Sequence, residues 1–267
     1  MAIRSVANQI QVGEIDCGLA VGIESMSNHS PEKWDFSTEV KGAHQEADDC
    51  KMPMGWTSEN VAGDFGISRE KMDAFAARSH ERAANAQSSG RFDAEILPIT
   101  VPDGTSDNEQ RNYKTVSADD GIRVGSTPEG LGKIKPAFPQ WAPAQTTGGN
   151  ASQLTDGAAG VILMRRSMAN KLGKKIIAKY VATSVSGLAP RIMGIGPSLA
   201  IPRVLELTGI DQSQVELFEI NEAFASMAVY CEEKLGINPE ILNVNGGAIA
   251  LGHPLGAVSL TLELMWS

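Results

Sequence analysis

Asn243-Val244-Asn245-Gly246-Gly247-Ala248-Ile249-Ala250-Leu251-Gly252-His253-Pro254-Leu255-Gly256 is the stretch that decides how the chain is read. A short apolar run, Ile241 to Val244, gives way to a loop carrying four glycines, and a histidine stands directly before a proline. The ring of Pro254 pushes His253 out of the α-region toward an extended backbone, so the imidazole does not sit inside a helix. Proline suits the first turn of a helix, so one is expected from Leu255 onward. Glycines permit positive φ and let a second backbone or a ligand come close. His253 is thereby presented at a strand-loop-helix junction, the position at which open α/β sheets bind ligands. A strand-to-helix turn with a bystander histidine accounts for the same residues, and no short catalytic motif decides between the two.

Working outward, Val215 to Ile220 reads as a strand, Ala223 to Leu235 as a helix and Ile241 to Val244 as a strand. Lys174 to Val185 is strand-like and Ser198 to Leu207 helical, and this alternation argues for a layered α/β domain. Upstream, Ile3, Val6, Ala7 and Ile10 fall at helical spacing, in a helix without a capping lead-in, as expected if sequence precedes it. Cys17 to Ile23 is a continuous run of small apolar residues that fits a strand buried on both faces. A polar excursion covers about 25–54. Ser68 is placed to cap a helix through Met72, Phe75, Ala76, Ser79 and Ala83, with Gly90 as its stop.

Glu95 to Val101 reads as a strand, placed at an edge by Pro98. The following forty or so residues, dense in Gly, Pro, Asp and Asn, are too long for a simple connection and are expected to lie over a site. Ala158 to Met164 restores the sheet pattern, followed by a short helix to Leu172. The composition shifts near Gly173, so domains are expected over 1–172, with the excursion at about 25–150, and over 173–267.

With 267 residues, 42% hydrophobic and 21% charged, the chain has the composition of an ordinary globular protein with a sizeable core. A net charge of -9 argues against a nucleic-acid surface and disfavours anionic membranes. No apolar run approaches the roughly 20 residues of a membrane span. Cys17, Cys50 and Cys231 are widely spaced and odd in number, which points to a reducing compartment rather than a disulfide framework or a Cys-x-x-Cys metal site. Four scattered histidines support no zinc cluster, so no metal is expected.

Chemistry concentrates in three further places. Asn221 falls where a strand ends and a helix starts: it either caps that helix or presents a polar group that holds a water or a substrate oxygen. Phe224, one turn on, is either core or pocket wall. Thr147 to Ala159 combines small residues with hydroxyls, as a loop satisfying its own backbone or as a surface for a long polar ligand. Met193-Gly194-Ile195-Gly196-Pro197 lacks the third glycine of a dinucleotide fingerprint and has no P-loop lysine.

Together these segments resemble the thiolase family. Asn221-Glu222-Ala223-Phe224-Ala225, the glycine loop through His253-Pro254, Gly149-Asn150-Ala151-Ser152, Met193 to Pro197 and Pro53-Met54-Gly55-Trp56-Thr57 occur in the family's order, and the similarity runs from Ala2 to about Ala257. Pro53, where the biosynthetic branch tends to carry histidine, looks more like the degradative 3-ketoacyl-CoA branch.

The resemblance implies a thiolase-like layered αβαβα fold, incomplete at both ends, and roles for matching positions. His253 would activate a nucleophilic cysteine and join an oxyanion hole, and Asn221 would hold the water that completes that hole. Ser152 would contact the pantetheine of coenzyme A, with Phe224, Met193 and Met54 lining the substrate pocket. The implied reaction is acyl transfer from a 3-ketoacyl-CoA to coenzyme A with release of acetyl-CoA, closing a round of fatty-acid β-oxidation. Coenzyme A and acyl-CoA are then substrates, and no separate cofactor is implied. A homodimer is implied, with the Cys17 strand as the place to look for pairing, and the peroxisome is the compartment the resemblance favours.

The pattern breaks in two places. The family's nucleophile lies in a Cys-Ser-Ser-Gly segment opening the helix that begins here at Ala2, and its second catalytic cysteine lies in a Cys-x-Gly-x-Gly strand. Residues 258–267 depart from the family instead of leading to that strand. Cys17, Cys50 and Cys231 stand in neither context. The chain is therefore expected to be truncated at both ends, inactive as given and poorly soluble alone. The alternative is a non-catalytic thiolase-like protein that binds acyl-CoA or heterodimerises with an intact subunit.

Overall fold

The computed structural model describes residues 1–28, 42–103 and 112–257. The expected helix from Leu255 is a 3-10 turn over Leu255–Ala257, and residues 258–267 lie outside the described part, as does most of the polar excursion before Gly42. Helix α1 (Ala2–Val12) ends on Gly13, whose φ of +86° is the left-handed conformation that closes helices. Strand β1 (Cys17–Glu24) follows, and its antiparallel partner lies far along the chain, with Cys17 opposite Met164 and Glu24 opposite Gly157.

Helix α1 packs on one face of this pair, where Ile3 and Ala20 are buried with Val6, Ala159, Val161 and Leu163 around them. Gly18 makes the approach possible, since a Cβ there would sit 2.6 Å from Val6 Cγ1. Leu19, Val21, Ile23 and Ile162 stand exposed. They are the alternate side chains of the two strands, so they share the opposite face. The expectation of a strand buried on both faces is corrected: α1 covers one face only.

Helices α2 (Gln45–Asp49) and α3 (Met54–Phe65) precede α4 (Arg69–Ser88). In α4 the Ser68 hydroxyl accepts from Lys71 N, and Met72, Phe75, Ala76, Ser79 and Ala83 are buried, as their spacing predicts. The sequence did not announce α3, because much of its buried face is polar: Thr57, Ser58, Glu59 and Asn60 lie inside with Val61 and Ala62. These groups are satisfied across the fold. Ser58 Oγ lies 2.8 Å from both Thr146 Oγ1 and Ser226 Oγ, and the Glu59 carboxylate accepts from Gln145 N and Thr146 N.

Strand β2 (Ile99–Pro102) is shorter than the predicted Glu95 to Val101, because Glu95 N and Ile96 N turn back to bond Phe92 O. It pairs antiparallel with β3 (Tyr113–Val116). Helix α5 (Pro128–Leu131), capped by Thr127, precedes β4 (Gly157–Met164), the partner of β1, and α6 (Arg166–Lys171).

In the second half, 174–188 has no assigned helix or strand and belongs to no ladder among the described residues, so the strand expected over Lys174 to Val185 is not formed there. Helices α7 (Pro197–Thr208), α8 (Ala225–Leu235) and α9 (Ala248–Leu251) follow. The strands expected at Val215 to Ile220 and Ile241 to Val244 shrink to one parallel bridge, Phe218 to Leu242. The main core joins α4 to this bridge: Met72, Phe75 and Ala76 pack with Phe218, Ile220, Ala228, Leu242 and Ile249. A fully buried side chain such as Met72 is worth about 1.5–3 kcal/mol by area alone. No described helix is long and apolar enough to cross a membrane.

Candidate active site

The site begins where the parallel bridge ends. Phe218 N donates to Ile241 O at 2.7 Å and Asn243 N to Phe218 O at 2.8 Å. The side chain of Asn243 then stands in for the next rung, its Oδ1 accepting from Ile220 N and its Nδ2 donating to Ile220 O, both at 2.8 Å. Asn243 has φ +47°, a left-handed conformation that asparagine tolerates better than most residues. Backbone pairing stops here while the segment through Asn221 stays clamped.

Glu222, 1% exposed, ties this clamp to the glycine loop. Its carboxylate accepts from Ser79 Oγ at 2.5 Å, Asn243 Nδ2 at 2.8 Å and Ile249 N at 3.2 Å, and Ser79 Oγ accepts from Gly247 N. Burial raises the acid's pKa, and these hydrogen bonds work against that rise. The loop fits only as glycine: a Cβ on Gly247 would lie 2.3 Å from Glu222 Cδ, and one on Gly246, at φ +80°, 2.6 Å from Ala83 Cβ.

His253 is held by its backbone, with N donating to Gln153 O at 2.9 Å in a parallel bridge between Leu154 and His253. Its Nε2 lies 3.2 Å from Asn221 Nδ2. Burial holds the imidazole below its ordinary pKa, so the ring is neutral at pH 7. The donor and acceptor in this contact follow the imidazole tautomer: the ring proton is on Nδ1 in the arrangement where Asn221 Nδ2 donates to Nε2. Asn221 is not the helix cap. Phe224 occupies that position without a side-chain cap, and the first amide of α8, Ala225 N, is satisfied by Asn150 O at 2.9 Å. The amide of Asn221 is thereby free to face the histidine.

Ser152 joins the same cluster, its N donating to Ala223 O at 3.0 Å beside an antiparallel bridge from Ala151 to Phe224. Phe224 is half-buried against Val61, Ile195 and Met227. Met193 and Met54 stand further out, 45% and 41% exposed, and neither bonds to the pair. Cys17 and Cys50 are exposed, and burial pushes the Cys231 thiol in α8 up to about 12. None of the three shares a hydrogen bond with His253. Among the described residues no three His, Cys, Asp or Glu side chains are grouped to hold a metal ion.

Several contributors were not visible in the sequence reading. Gln153 links loops, donating from Nε2 to Gly121 O at 3.0 Å while its carbonyl holds His253. Glu222 and Asn243 are buried polar groups flanking the apolar bridge, and Glu219 is part-buried beside them. Period-2 reasoning places Glu222 on the core face with Phe218 and Ile220, a polar residue where an apolar one is expected.

These elements define an α/β protein in which an imidazole and a carboxamide from two neighbouring loops come within hydrogen-bond distance of each other. The thiolase N-terminal domain family matches residues 1–167 and the thiolase C-terminal domain family residues 174–263. The peroxisomal 3-ketoacyl-CoA thiolase of Yarrowia lipolytica is 52% identical over 261 residues, covering 96% of this chain and 62% of that protein. The dimeric peroxisomal thiolase of Saccharomyces cerevisiae superimposes with a TM-score of 0.90 at 46% identity, over 99% of this chain and 66% of that one. The Bacillus anthracis acetyl-CoA acetyltransferase gives 0.84 at 35% identity, over 99% and 68%. The chain belongs to the thiolase family and has its α/β fold. It spans about three fifths of the length of the curated relatives it matches.

Proposed function

We propose that the His253–Asn221 pair is the base and oxyanion half of a site for cleaving 3-ketoacyl-CoA with coenzyme A to acyl-CoA and acetyl-CoA in peroxisomal β-oxidation. The observation that carries this is the 3.2 Å contact between a neutral imidazole and a carboxamide at the rim of two glycine- and asparagine-shaped loops. In such a cleavage a thiol gives its proton to His253 Nε2 and the thiolate adds to the keto carbon. The oxyanion takes hydrogen bonds from Nε2–H and from a water held by Asn221 Nδ2. Collapse breaks the carbon–carbon bond, and the electron pair leaves on the acetyl-CoA enolate, which is then protonated. A coenzyme A thiolate finally takes the acyl group from the sulfur.

Ser152 would meet the pantetheine arm, and Phe224, Met193 and Met54 would line the acyl and coenzyme A path. Coenzyme A and acyl-CoA are the partners in this reading, with a second copy of the chain in a dimer. The peroxisomal relatives support the compartment. Cys17, Cys50 and Cys231 share no hydrogen bond with His253 among the described residues, and this reading assigns none of them as the nucleophile.

An added small thiol tests the reading. Acetoacetyl-CoA should acylate it about a hundred- to ten-thousand-fold faster on the chain than on its His253→Ala variant, the range of general-base help. Equal rates in both would overturn it. A second reading, a non-catalytic acyl-CoA-binding or heterodimerising subunit, is favoured by the positions of the three cysteines; acyl-CoA binding with no thiol rescue would select it.

A further inference from the structure

Glu219 takes no part in the reading above, yet it stands two residues before Asn221 on the same face of one segment. Phe218 and Ile220 are buried in the main core, at 8% and 3% exposure. On an extended segment, side chains alternate between faces at roughly 3.3 Å per residue, so Glu219 and Asn221 leave the opposite face together, about 7 Å apart at Cα. The segment has little freedom to change this, because Ile220 is bonded on both its N–H and its carbonyl by Asn243.

Three buried side-chain atoms have no hydrogen-bond partner among the described residues: Glu219 Oε2, Asn221 Oδ1 and His253 Nδ1. Two of them belong to the contacting pair, and the third is on the residue two positions before Asn221. Burial, with the Glu222 carboxylate behind it, pushes the Glu219 acid up to about 8, so at neutral pH it mostly retains its proton. A neutral carboxylic acid is a donor, and the atom that Asn221 leaves unsatisfied is an acceptor.

We propose that Glu219 is a positioning residue of the His253–Asn221 site: its carboxyl group hydrogen-bonds, through one bridging water, to the amide oxygen of Asn221 and fixes Nδ2 toward His253. Unpinned, the amide has two orientations, and only one donates to Nε2. The other turns its oxygen to the ring and selects the tautomer with the proton on Nε2, which has no lone pair there to take a proton from a thiol. Glu219 thus sets the protonation site of the base without touching substrate. The inference rests on His253 and Asn221 being that base and its carboxamide.

Histidine-selective 15N NMR of the full chain reads the tautomer directly. The wild-type ring should show one tautomer, protonated on Nδ1. Glu219→Gln, which keeps a neutral donor, should retain it. Glu219→Met, similar in volume and without a donor, should move both ring nitrogens toward averaged shifts. A folded methionine variant with the wild-type pattern, or a glutamine variant that loses it as methionine does, overturns the proposal. If the methionine chain does not melt cooperatively, Glu219→Asp takes its place, withdrawing the acid by one methylene: averaging supports the proposal and an unchanged ring overturns it. Coenzyme A thioester binding is measured separately. A chain that binds none while its His253 tautomer follows Glu219 overturns the acyl-transfer reading and supports this one; binding with an indifferent tautomer overturns this one alone.

Discussion

Asn243 Nδ2 donates to Glu222 Oε1 at 2.8 Å, and this contact joins the strand end that presents Asn221 to the loop that presents His253. The same carboxyl group holds Ser79 on α4 and Ile249 N on α9, so one buried acidic side chain organises three elements. Glu222→Ala strands those three donors, each costing about 1–3 kcal/mol when left unsatisfied. A loss of roughly 3 kcal/mol or more is expected in urea unfolding, with Glu222→Gln losing less because it retains an acceptor. A loss under about 1 kcal/mol in the alanine variant would mean that the network relaxes at little cost.

Gly246 and Gly209 both have positive φ, +80° and +67°, but differ in surroundings. Nothing lies within 4 Å of a Cβ on Gly209, whereas one on Gly246 would meet Ala83 and the Ser79 carbonyl at 2.6–2.7 Å. Gly209→Ala should cost about 1–2 kcal/mol, the backbone penalty alone. Gly246→Ala adds overpacking, typically another 1–3 kcal/mol, and displaces the His253 loop from α4. Thermal melts of the two variants side by side separate these contributions, and equal losses would show that the close approach is not what requires glycine.

What was legible in the sequence follows the same physics. Helix α4 declared itself through Ser68 and an apolar stripe, and the His253 loop through Pro254 and its glycines. Helix α3 did not, since Ser58 and Glu59 face inward and are satisfied by partners such as Thr146, close to 90 residues away in sequence. Asn221 read as either a cap or a site residue because the chain looks locally like a helix start. Only tertiary structure shows that Asn150 O satisfies the first amide, leaving the carboxamide to His253. Isolated apolar runs predicted strands at Val215 to Ile220 and Lys174 to Val185, but a ladder needs a partner as well as a pattern.

His80 is 1% exposed on α4, and its Nδ1 accepts from Arg123 N at 3.2 Å. Burial, aided by the positive charge of Arg123, lowers its pKa to about 4. The folded state therefore prefers the neutral ring, so its contribution is complete above the unfolded value near 6.5 and is lost as pH falls toward 4. The shift corresponds to roughly 3 kcal/mol across that window. His80→Gln should flatten the acid limb of the stability profile between pH 6.5 and 4. An equally steep limb in the variant would assign the acid sensitivity elsewhere.

Asn221→Asp replaces the carboxamide 3.2 Å from His253 Nε2 with a group that ionises. In the parent chain burial lowers the imidazole pKa, so stability is lost as pH falls below 6.5. A carboxylate at that distance favours the charged ring and should raise its pKa by about 1–3 units. That rise offsets the burial penalty on the charged ring, so less stability is lost as pH falls below 6.5 than in the parent chain. At any given pH a larger share of the imidazole is then protonated and lacks the lone pair that takes a thiol proton, so thiol-dependent acyl transfer should fall relative to the parent, most of all toward acid pH. An NMR titration of the His253 Cε1–H resonance, assigned by His253→Gln, reads the shift. A midpoint in the aspartate variant no higher than that of the parent chain would show that the two side chains do not share the contact in solution.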